Sequence, residues 1–166
     1  LLLLKRILEI KGKNTIKEVW PNLELYINGG VSFVPYREQF EKIIGGPVNY
    51  LEIYNASEGF FAAQEKPEDD GMTLFTEHGV FYEFMPVAEY GKPDPQTVGL
   101  NNVVLNKNYA LVISTTGGLW RYLVGDTVKF TSVNPYKIKI TGRLKHYMNA
   151  FGEEVIVDNT DQAVTI

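Results

Sequence analysis

The chain has 166 residues, of which 45% are hydrophobic and 22% are charged, a balance typical of an ordinary soluble globular protein. It contains no cysteine, which excludes disulfides and thiol catalysis. The formal net charge is −4 and there is no basic run, which argues against nucleic-acid binding by charge.

The chain opens with LLLLKRILEIKGKN, which predicts an amphipathic helix too short to span a bilayer. This segment lacks the basic start and the small-residue cleavage site of a signal peptide. The next segment, NTIKEVW, predicts a short helix that is capped by Asn14 and stopped by Pro21. The beginning of the chain is therefore expected to be helical.

A parallel βαβ unit is predicted next. Residues 23–27 are typical of a buried strand, and Gly29 and Gly30 permit a tight turn after it. A helix follows, with Pro35 in its first turn and Gly45 at its end, and VNYLEIY forms the second strand. Ligands of such units bind at the carboxyl ends of the strands, where NGG and YNASEG lie here.

After Gln64 the pattern changes to short strands rich in aromatic and β-branched residues. The segments MTLFTE, VFYEFMPV, YALVIST, LWRYLVGDTVKFTSV and YKIKITGR predict an antiparallel meander or a partly closed barrel. The fold class is thus α/β, with an α/β portion in residues 1–64 and an antiparallel β subdomain in residues 65–142. Residues 143–166 are too short to form a domain and are expected to be a hinge and the truncated start of a C-terminal domain, so we expect the chain to be a fragment.

The segment YNASEG carries three groups suited to a nucleotide. Tyr54 offers a ring for stacking on a base, Ser57 a hydroxyl for a phosphate, and Glu58 a carboxylate for Mg²⁺. A capped turn with a solvated acid explains the same residues equally well. The glycine pair in NGG, taken alone, is most simply a plain turn.

A second candidate is Asp126, which follows Gly125 and is expected in a turn between two strands. A carboxylate fixed there can accept hydrogen bonds from both hydroxyls of a ribose, although Gly–Asp is also common in ordinary hairpins. Arg143 follows a strand, and its planar guanidinium suits hydroxyl or phosphate recognition. Taken alone, an ordinary surface arginine is the simpler interpretation of that residue.

In this order, a glycine pair after a strand, Tyr-x-x-Ser-Glu, Arg-Tyr-x-Val-Gly-Asp and Gly-Arg resemble the adenylate-forming enzymes. The closest likeness is to the auxin-responsive acyl acid amido synthetases of plants and their bacterial relatives, and we expect a bacterial member. WPNLELYINGGVSFVPYREQFEKIIG, YNASEGFFA and WRYLVGDTVKF carry this match. The resemblance implies a ligase that uses ATP and Mg²⁺ to adenylate a carboxylic acid and then forms an amide with an amine or amino acid. The use of ATP and the lack of an export signal make the cytoplasm the expected location.

The resemblance also implies residue roles. In chain order, three residues would line the adenine, a tyrosine would stack on it, a serine would touch the α-phosphate, and an acid and an arginine would hold the ribose. These nucleotide-binding residues are Gly29, Gly30, Val31, Tyr54, Ser57, Asp126 and Arg143. Glu58 would bind Mg²⁺, Lys145 would lie at the hinge to the C-terminal domain, and Phe60 and Phe61 would border the acyl pocket.

Two parts of the family pattern have no match in this sequence. They are the Ser/Thr/Gly-rich phosphate loop and the C-terminal domain that carries the catalytic lysine. We therefore predict no catalytic residue here and expect the chain to be inactive without further N- and C-terminal portions. The alternatives are an acyl-CoA-type adenylating ligase and a binding module without chemistry. No nucleic acid or membrane partner is expected.

Overall fold

The computed structural model describes residues 1–30, 33–144, 148–150 and 153–155. Most of its strands form one eight-stranded mixed sheet. The strands of this sheet are β1 (Leu25–Gly29), β2 (Asn49–Ala56), β3 (Gly59–Ala63), β4 (Met72–Leu74), β5 (Val80–Pro86), β6 (Asn108–Thr115), β7 (Tyr122–Val133) and β8 (Tyr136–Arg143). Across the sheet they lie in the order β1-β2-β3-β4-β8-β7-β6-β5. A separate antiparallel pair is formed by β9 (Met148–Ala150) and β10 (Glu153–Val155).

Short helices accompany the sheet. The α-helices of the described residues are α1 (Leu2–Lys11), α2 (Ile16–Val19) and α3 (Arg37–Ile44), and the 3-10 turns are Val34–Tyr36, Val87–Glu89 and Leu100–Asn102. The predicted cap at Asn14 is wrong, because the N-cap of α2 is Thr15, whose backbone N–H donates to the Glu18 side chain at 3.0 Å. Within the described part of the chain, every helix is too short or too polar to cross a bilayer.

The predicted βαβ unit is confirmed. β1 and β2 are parallel neighbours, and α3 connects them and ends at Gly45 as expected. The helix packs Phe40 and Ile44 into a small core that it shares with Tyr50 of β2. The carboxyl ends of both strands therefore meet at one edge of the sheet.

The first strand differs from its prediction. The sequence predicts a buried strand over residues 23–27, whereas β1 spans Leu25–Gly29 and Ile27 is 53% exposed. The reason is the strand's position at the edge of the sheet and its period of two. Tyr26 packs against the small core, and Leu25 and Ile27 point to the opposite face.

The antiparallel strands of the second half are also confirmed. β5, β6, β7 and β8 follow one another as a meander, and β4 joins β8 to β3. Their inner face forms the main core, in which Phe84 and Phe130 pack edge to face with ring centroids 4.8 Å apart. Because β3 pairs with β4, one sheet runs across residue 64. The division of the chain at residues 64 and 142 stays a prediction.

The segment after β2 is a hairpin. The sequence predicts that the strand gives way to a loop after residue 54, but β2 continues to Ala56 and pairs with β3 through a tight turn at Ser57 and Glu58. The strand β3 has no counterpart in the sequence prediction. Its apolar residues Phe61 and Ala62 complete the main core, which explains why the chain turns back here.

The predicted turn at Gly125 and Asp126 is wrong. Both residues lie inside β7, which runs unbroken over 12 residues. Gly125 has a φ of 92°, a conformation that glycine adopts without steric strain. The pairing register with β6 and β8 shifts around this point, between Ala110 and Val112 and between Thr127 and Val128. The glycine therefore bends a continuous strand instead of ending it.

Candidate functional site

A cavity of about 290 Å³ lies where the carboxyl ends of β1 and β2 face the bend in β7. Six of the predicted site residues line it, namely Gly30, Tyr54, Ser57, Glu58, Asp126 and Arg143. Val124 and Ile140 add apolar surface to the wall. The two acids that are 68 residues apart in the numbering thus share one hollow, as the combined motifs require.

Asp126 is the most firmly held polar group of the cavity. It is only 7% exposed, and its two carboxylate oxygens have separate partners. Oδ2 accepts from the Tyr54 hydroxyl at 2.9 Å, and Oδ1 forms an ion pair with Arg143, whose Nε lies 2.9 Å away. The arginine is available because the β7–β8 register sets it directly opposite Asp126. Each oxygen keeps a further lone pair, so the carboxylate can still accept from a ligand hydroxyl.

Tyr54 connects this carboxylate to the main core. Its ring is 2% exposed and packs edge to face against Phe61 with centroids 5.0 Å apart. Burial, together with the neighbouring Asp126 carboxylate, raises the pKa of the Tyr54 hydroxyl far above its usual range, so the group remains a donor. Because the ring faces are covered, this arrangement does not favour the stacking role predicted for Tyr54, which stays a prediction.

Glu58 also lines the cavity, on the turn between β2 and β3. It is half-buried, and its Oε1 accepts from the Tyr122 hydroxyl at 3.1 Å. The hydrogen bond and the charge of Glu58 raise the pKa of the Tyr122 hydroxyl. Ser57, beside it, is exposed to solvent.

A divalent cation at this site would need ligands beyond the protein. Among the described residues, no group of three or more histidine, aspartate or glutamate side chains lies close enough together to hold a metal ion by itself. Mg²⁺ commonly binds through one or two carboxylates together with phosphate oxygens and water. The bond from Tyr122 engages one oxygen of Glu58 and leaves the other for a cation, so the residue fits that mode.

The remaining predicted residues lie in different environments. Gly29 is in β1 outside the cavity lining, and a Cβ there would come within 2.7 Å of the Asn55 side chain, so this glycine permits close packing on β2. Gly30 borders the cavity with a φ of 88°. Val31 and Lys145 lie outside the described residues.

Phe60 and Phe61 point to opposite faces of β3. Phe61 is fully buried beside Tyr54 in the main core, whereas Phe60 is exposed and packs against Phe75 with ring centroids 5.2 Å apart. Alternation along a strand separates neighbouring side chains in this way. The two rings therefore do not share one pocket, and the acyl pocket stays a prediction.

The sequence predicts no role for Tyr122, which contacts a residue of the site. Tyr122 belongs to the Arg-Tyr-x-Val-Gly-Asp motif, and its hydroxyl donates to Glu58. A signal was available in the spacing, because Tyr122 precedes Asp126 by four residues just as Tyr54 precedes Glu58. Spacing alone could not show which acid each tyrosine contacts.

Comparisons with known proteins agree on one family. A model described as the GH3 family N-terminal domain matches residues 2–49, and one described as the GH3 family central domain matches residues 73–143. Indole-3-acetic acid-amido synthetase GH3.2 of Arabidopsis thaliana is 30% identical over 131 residues, which cover 70% of this chain and 23% of that protein. Jasmonoyl--L-amino acid synthetase JAR4 of Nicotiana attenuata is 32% identical over 120 residues, which cover 69% of this chain and 21% of that protein.

Solved structures extend the likeness to the fold. The structure of GH3.15 acyl acid amido synthetase matches 90% of this chain and 27% of its own with a TM-score of 0.69 and 26% identity. Coronafacic acid ligase from Pectobacterium brasiliense matches with a TM-score of 0.52 at 15% identity over 97% of this chain and 32% of its own, a likeness of fold alone. The chain therefore spans about a quarter of the length of these relatives.

Proposed function

The chain belongs to the GH3 family, and from this membership we propose that it forms part of the nucleotide site of an ATP-dependent acyl acid amido synthetase. In the proposed reaction a carboxylic acid attacks the α-phosphate of ATP, which gives an acyl-adenylate and releases pyrophosphate. An amine or amino acid then attacks the acyl carbon, so that an amide forms and AMP leaves. We expect this activity in the full-length protein that carries the chain, in the cytoplasm where ATP is available.

The observation that carries the proposal is the clamped carboxylate of Asp126 at the cavity. Its two partners, Tyr54 and Arg143, hold it in one orientation and compensate its charge in a buried setting. An ionised acceptor that is fixed in this way forms strong hydrogen bonds with donors such as the two hydroxyls of a ribose. We therefore assign Asp126 to the ribose, with Arg143 beside it.

The other cavity residues suit the rest of a nucleotide. Gly30 leaves room for the flat base, and the exposed hydroxyl of Ser57 can donate to the α-phosphate. Glu58 would hold Mg²⁺, whose chemistry is to neutralise the negative charge of the phosphates. The protein's own contribution is positioning and charge stabilisation around phosphoryl oxygens, with no protein nucleophile.

The acceptor is proposed to be an amine. Three of the relatives are named an indole-3-acetic acid-amido synthetase, a jasmonoyl--L-amino acid synthetase and an acyl acid amido synthetase, which supports amide formation over transfer to coenzyme A. Trapping of the product with an amino acid and with coenzyme A in parallel separates the two reactions. An amide supports the proposal, and a thioester supports the acyl-CoA-type alternative.

Exchange of labelled pyrophosphate into ATP tests the adenylation step in the full-length protein. Indole-3-acetate and jasmonate are the first acids to try, since relatives are named for them. We expect Asp126→Asn to slow exchange by roughly 10- to 100-fold, the loss that follows from removing hydrogen bonds to a charged group. Glu68→Gln is the matched control, because Glu68 is an exposed acid that does not line the cavity.

Two results would overturn parts of this proposal. Exchange that is undiminished in Asp126→Asn would remove the ribose role from that residue. Exchange that no acid in a broad panel of carboxylic acids supports would reject adenylation by this protein.

A further inference from the structure

Two tyrosine–acid pairs cross at the cavity. In the sequence, Tyr54 precedes Glu58 by four residues, and Tyr122 precedes Asp126 by the same distance. In the structure, the Tyr54 hydroxyl donates to Oδ2 of Asp126 at 2.9 Å, and the Tyr122 hydroxyl donates to Oε1 of Glu58 at 3.1 Å. Each tyrosine therefore hydrogen-bonds the acid of the other motif.

These contacts join parts of the sheet that are not neighbours. Three strands, β3, β4 and β8, lie between β2 and β7 in the sheet order. In a flat sheet, four strand spacings would separate β2 from β7 by roughly 19 Å, which is beyond the reach of a tyrosine side chain. The sheet therefore curls so that β2 faces β7, and the two hydrogen bonds bridge the space that the curl encloses.

We propose that Tyr54 and Tyr122 are positioning residues that hold the carboxylates of Asp126 and Glu58 in the geometry that the nucleotide and its cation require. This proposal rests on the proposed function, because the two acids matter only if they bind ribose and Mg²⁺. A carboxylate on a free side chain must be ordered when the ligand binds, whereas one that is already held avoids that entropy loss. Each motif thus supplies one acid that binds the ligand and one tyrosine that positions the acid of the other motif.

The surroundings fit a donor role for both hydroxyls. The buried Tyr54 has Asp126 as its acceptor, and loss of the hydroxyl would leave one carboxylate oxygen without its protein donor. Tyr122 is 40% exposed, so its hydroxyl can hydrogen-bond water instead of Glu58. Its hydrogen bond therefore holds Glu58 less firmly than Tyr54 holds Asp126. We therefore expect Tyr54→Phe to weaken ligand binding more than Tyr122→Phe does.

Double-mutant cycles in the full-length protein test the crossed arrangement. The probes are AMP without Mg²⁺, which reports on the ribose acid, and ATP with increasing Mg²⁺, which reports on the cation ligand. Tyr54→Phe should weaken AMP binding by about three- to tenfold in the wild-type background, somewhat less than a full charged hydrogen bond is worth. This loss should disappear in the Asp126→Asn background and persist in the Glu58→Gln background.

The second cycle tests the contact between Tyr122 and Glu58. Tyr122→Phe should raise the Mg²⁺ concentration for half-maximal ATP binding by about two- to fivefold, since an exposed hydrogen bond contributes less than a buried one. That increase should vanish with Glu58→Gln and persist with Asp126→Asn. Tyr82→Phe is the matched control, because Tyr82 is a buried tyrosine outside the cavity whose hydroxyl donates to the Phe75 carbonyl. It should change neither measurement.

The outcomes separate this proposal from the proposed function. If the wild-type protein binds neither AMP nor Mg²⁺–ATP, the proposed function fails and the positioning role fails with it. If it binds both, and each tyrosine instead couples to the acid of its own motif or to both acids equally, the crossed arrangement is wrong and the proposed function stands. Should Tyr54→Phe not fold, the Tyr122 cycle alone decides, because that residue is partly exposed and tolerates substitution.

Discussion

The two motifs at the cavity share a tyrosine-to-acid spacing but build different sites. Asp126 lies at the bend of a long strand, is buried, and has Tyr54 and Arg143 as partners. Glu58 lies on a hairpin turn, is half-buried, and has Tyr122 as its hydrogen-bond donor. The strand thus provides a preformed acceptor suited to a rigid sugar, and the turn provides an adjustable ligand suited to a hydrated cation. Local structure, and not the motif alone, determines what each acid can bind.

Removal of the buried acid should have the largest effect on stability. Asp126→Ala leaves the Tyr54 hydroxyl buried without an acceptor, and we expect it to lower the free energy of unfolding by about 2–4 kcal/mol. Glu58→Ala should lower the free energy of unfolding by less than about 0.5 kcal/mol, because Glu58 is only half-buried and its donor Tyr122 can hydrogen-bond water instead. Urea unfolding of the two variants measures both values. Equal losses would contradict the contrast between the strand acid and the turn acid.

A second substitution checks the cause of that loss. Adding Tyr54→Phe to Asp126→Ala removes the unsatisfied hydroxyl together with its former acceptor. Because an orphaned polar group is worse than an apolar pair, the double variant should be more stable than Asp126→Ala alone. A double variant that is less stable would show that the loss arises from packing and not from the hydroxyl.

The bend in β7 should have the next largest effect. Gly125→Ala places a side chain at a φ of 92°, where a Cβ would meet no atom within 4 Å, so the effect is backbone strain of about 1–2 kcal/mol. Gly91→Ala is a matched control, with a φ of 85° and equally open space. Both variants should lose similar stability, but Gly125→Ala should also weaken AMP binding because it moves Asp126. Equal AMP affinity in the two variants would show that the bend does not position the acid.

The sequence predicted most of the fold where local signals are strong. The parallel strands around α3 follow from Pro35, Gly45 and two apolar runs, and the later strands follow from aromatic and β-branched alternation. The strand β3 was missed because its two-residue turn, Ser57 and Glu58, lacks the Asn–Gly or Asp–Gly pattern that marks a tight hairpin.

The candidate site was predictable as a set of residues but not as an arrangement. Gly125 followed by Asp126 is typical of a turn, and nothing in the neighbouring residues distinguishes a turn from a bent strand. Tyr54, which donates a hydrogen bond to Asp126, is 72 residues away along the chain and contacts it only because the sheet curls. Curvature depends on register shifts between strands, and no local pattern encodes them.

Alkaline pH should have the smallest effect, and it sharpens the contrast between the two tyrosines. An unfolded tyrosine titrates near pH 10, whereas burial and Asp126 keep the folded Tyr54 protonated well beyond that pH. The folded state then holds a proton that the unfolded state releases, so the contribution of Tyr54 is complete below pH 10 and declines above it. The decline should amount to about 1 kcal/mol by pH 11.

The measurement is the free energy of unfolding at pH 8, 9.5 and 11 in the wild type, Tyr54→Phe and Tyr122→Phe. Tyr82 contributes a similar decline in all three proteins, because burial raises its pKa to about 12. Tyr54→Phe should therefore show a shallower fall in stability above pH 10 than the wild type. Tyr122→Phe should change the slope less than Tyr54→Phe, because the hydrogen bond and charge of Glu58 also raise the pKa of the Tyr122 hydroxyl but the residue is 40% exposed and solvent screens that charge. Identical slopes for Tyr54→Phe and Tyr122→Phe would mean that the two hydroxyls have the same surroundings. That result would contradict a buried Tyr54 hydroxyl on Asp126 and a partly exposed Tyr122 hydroxyl on Glu58.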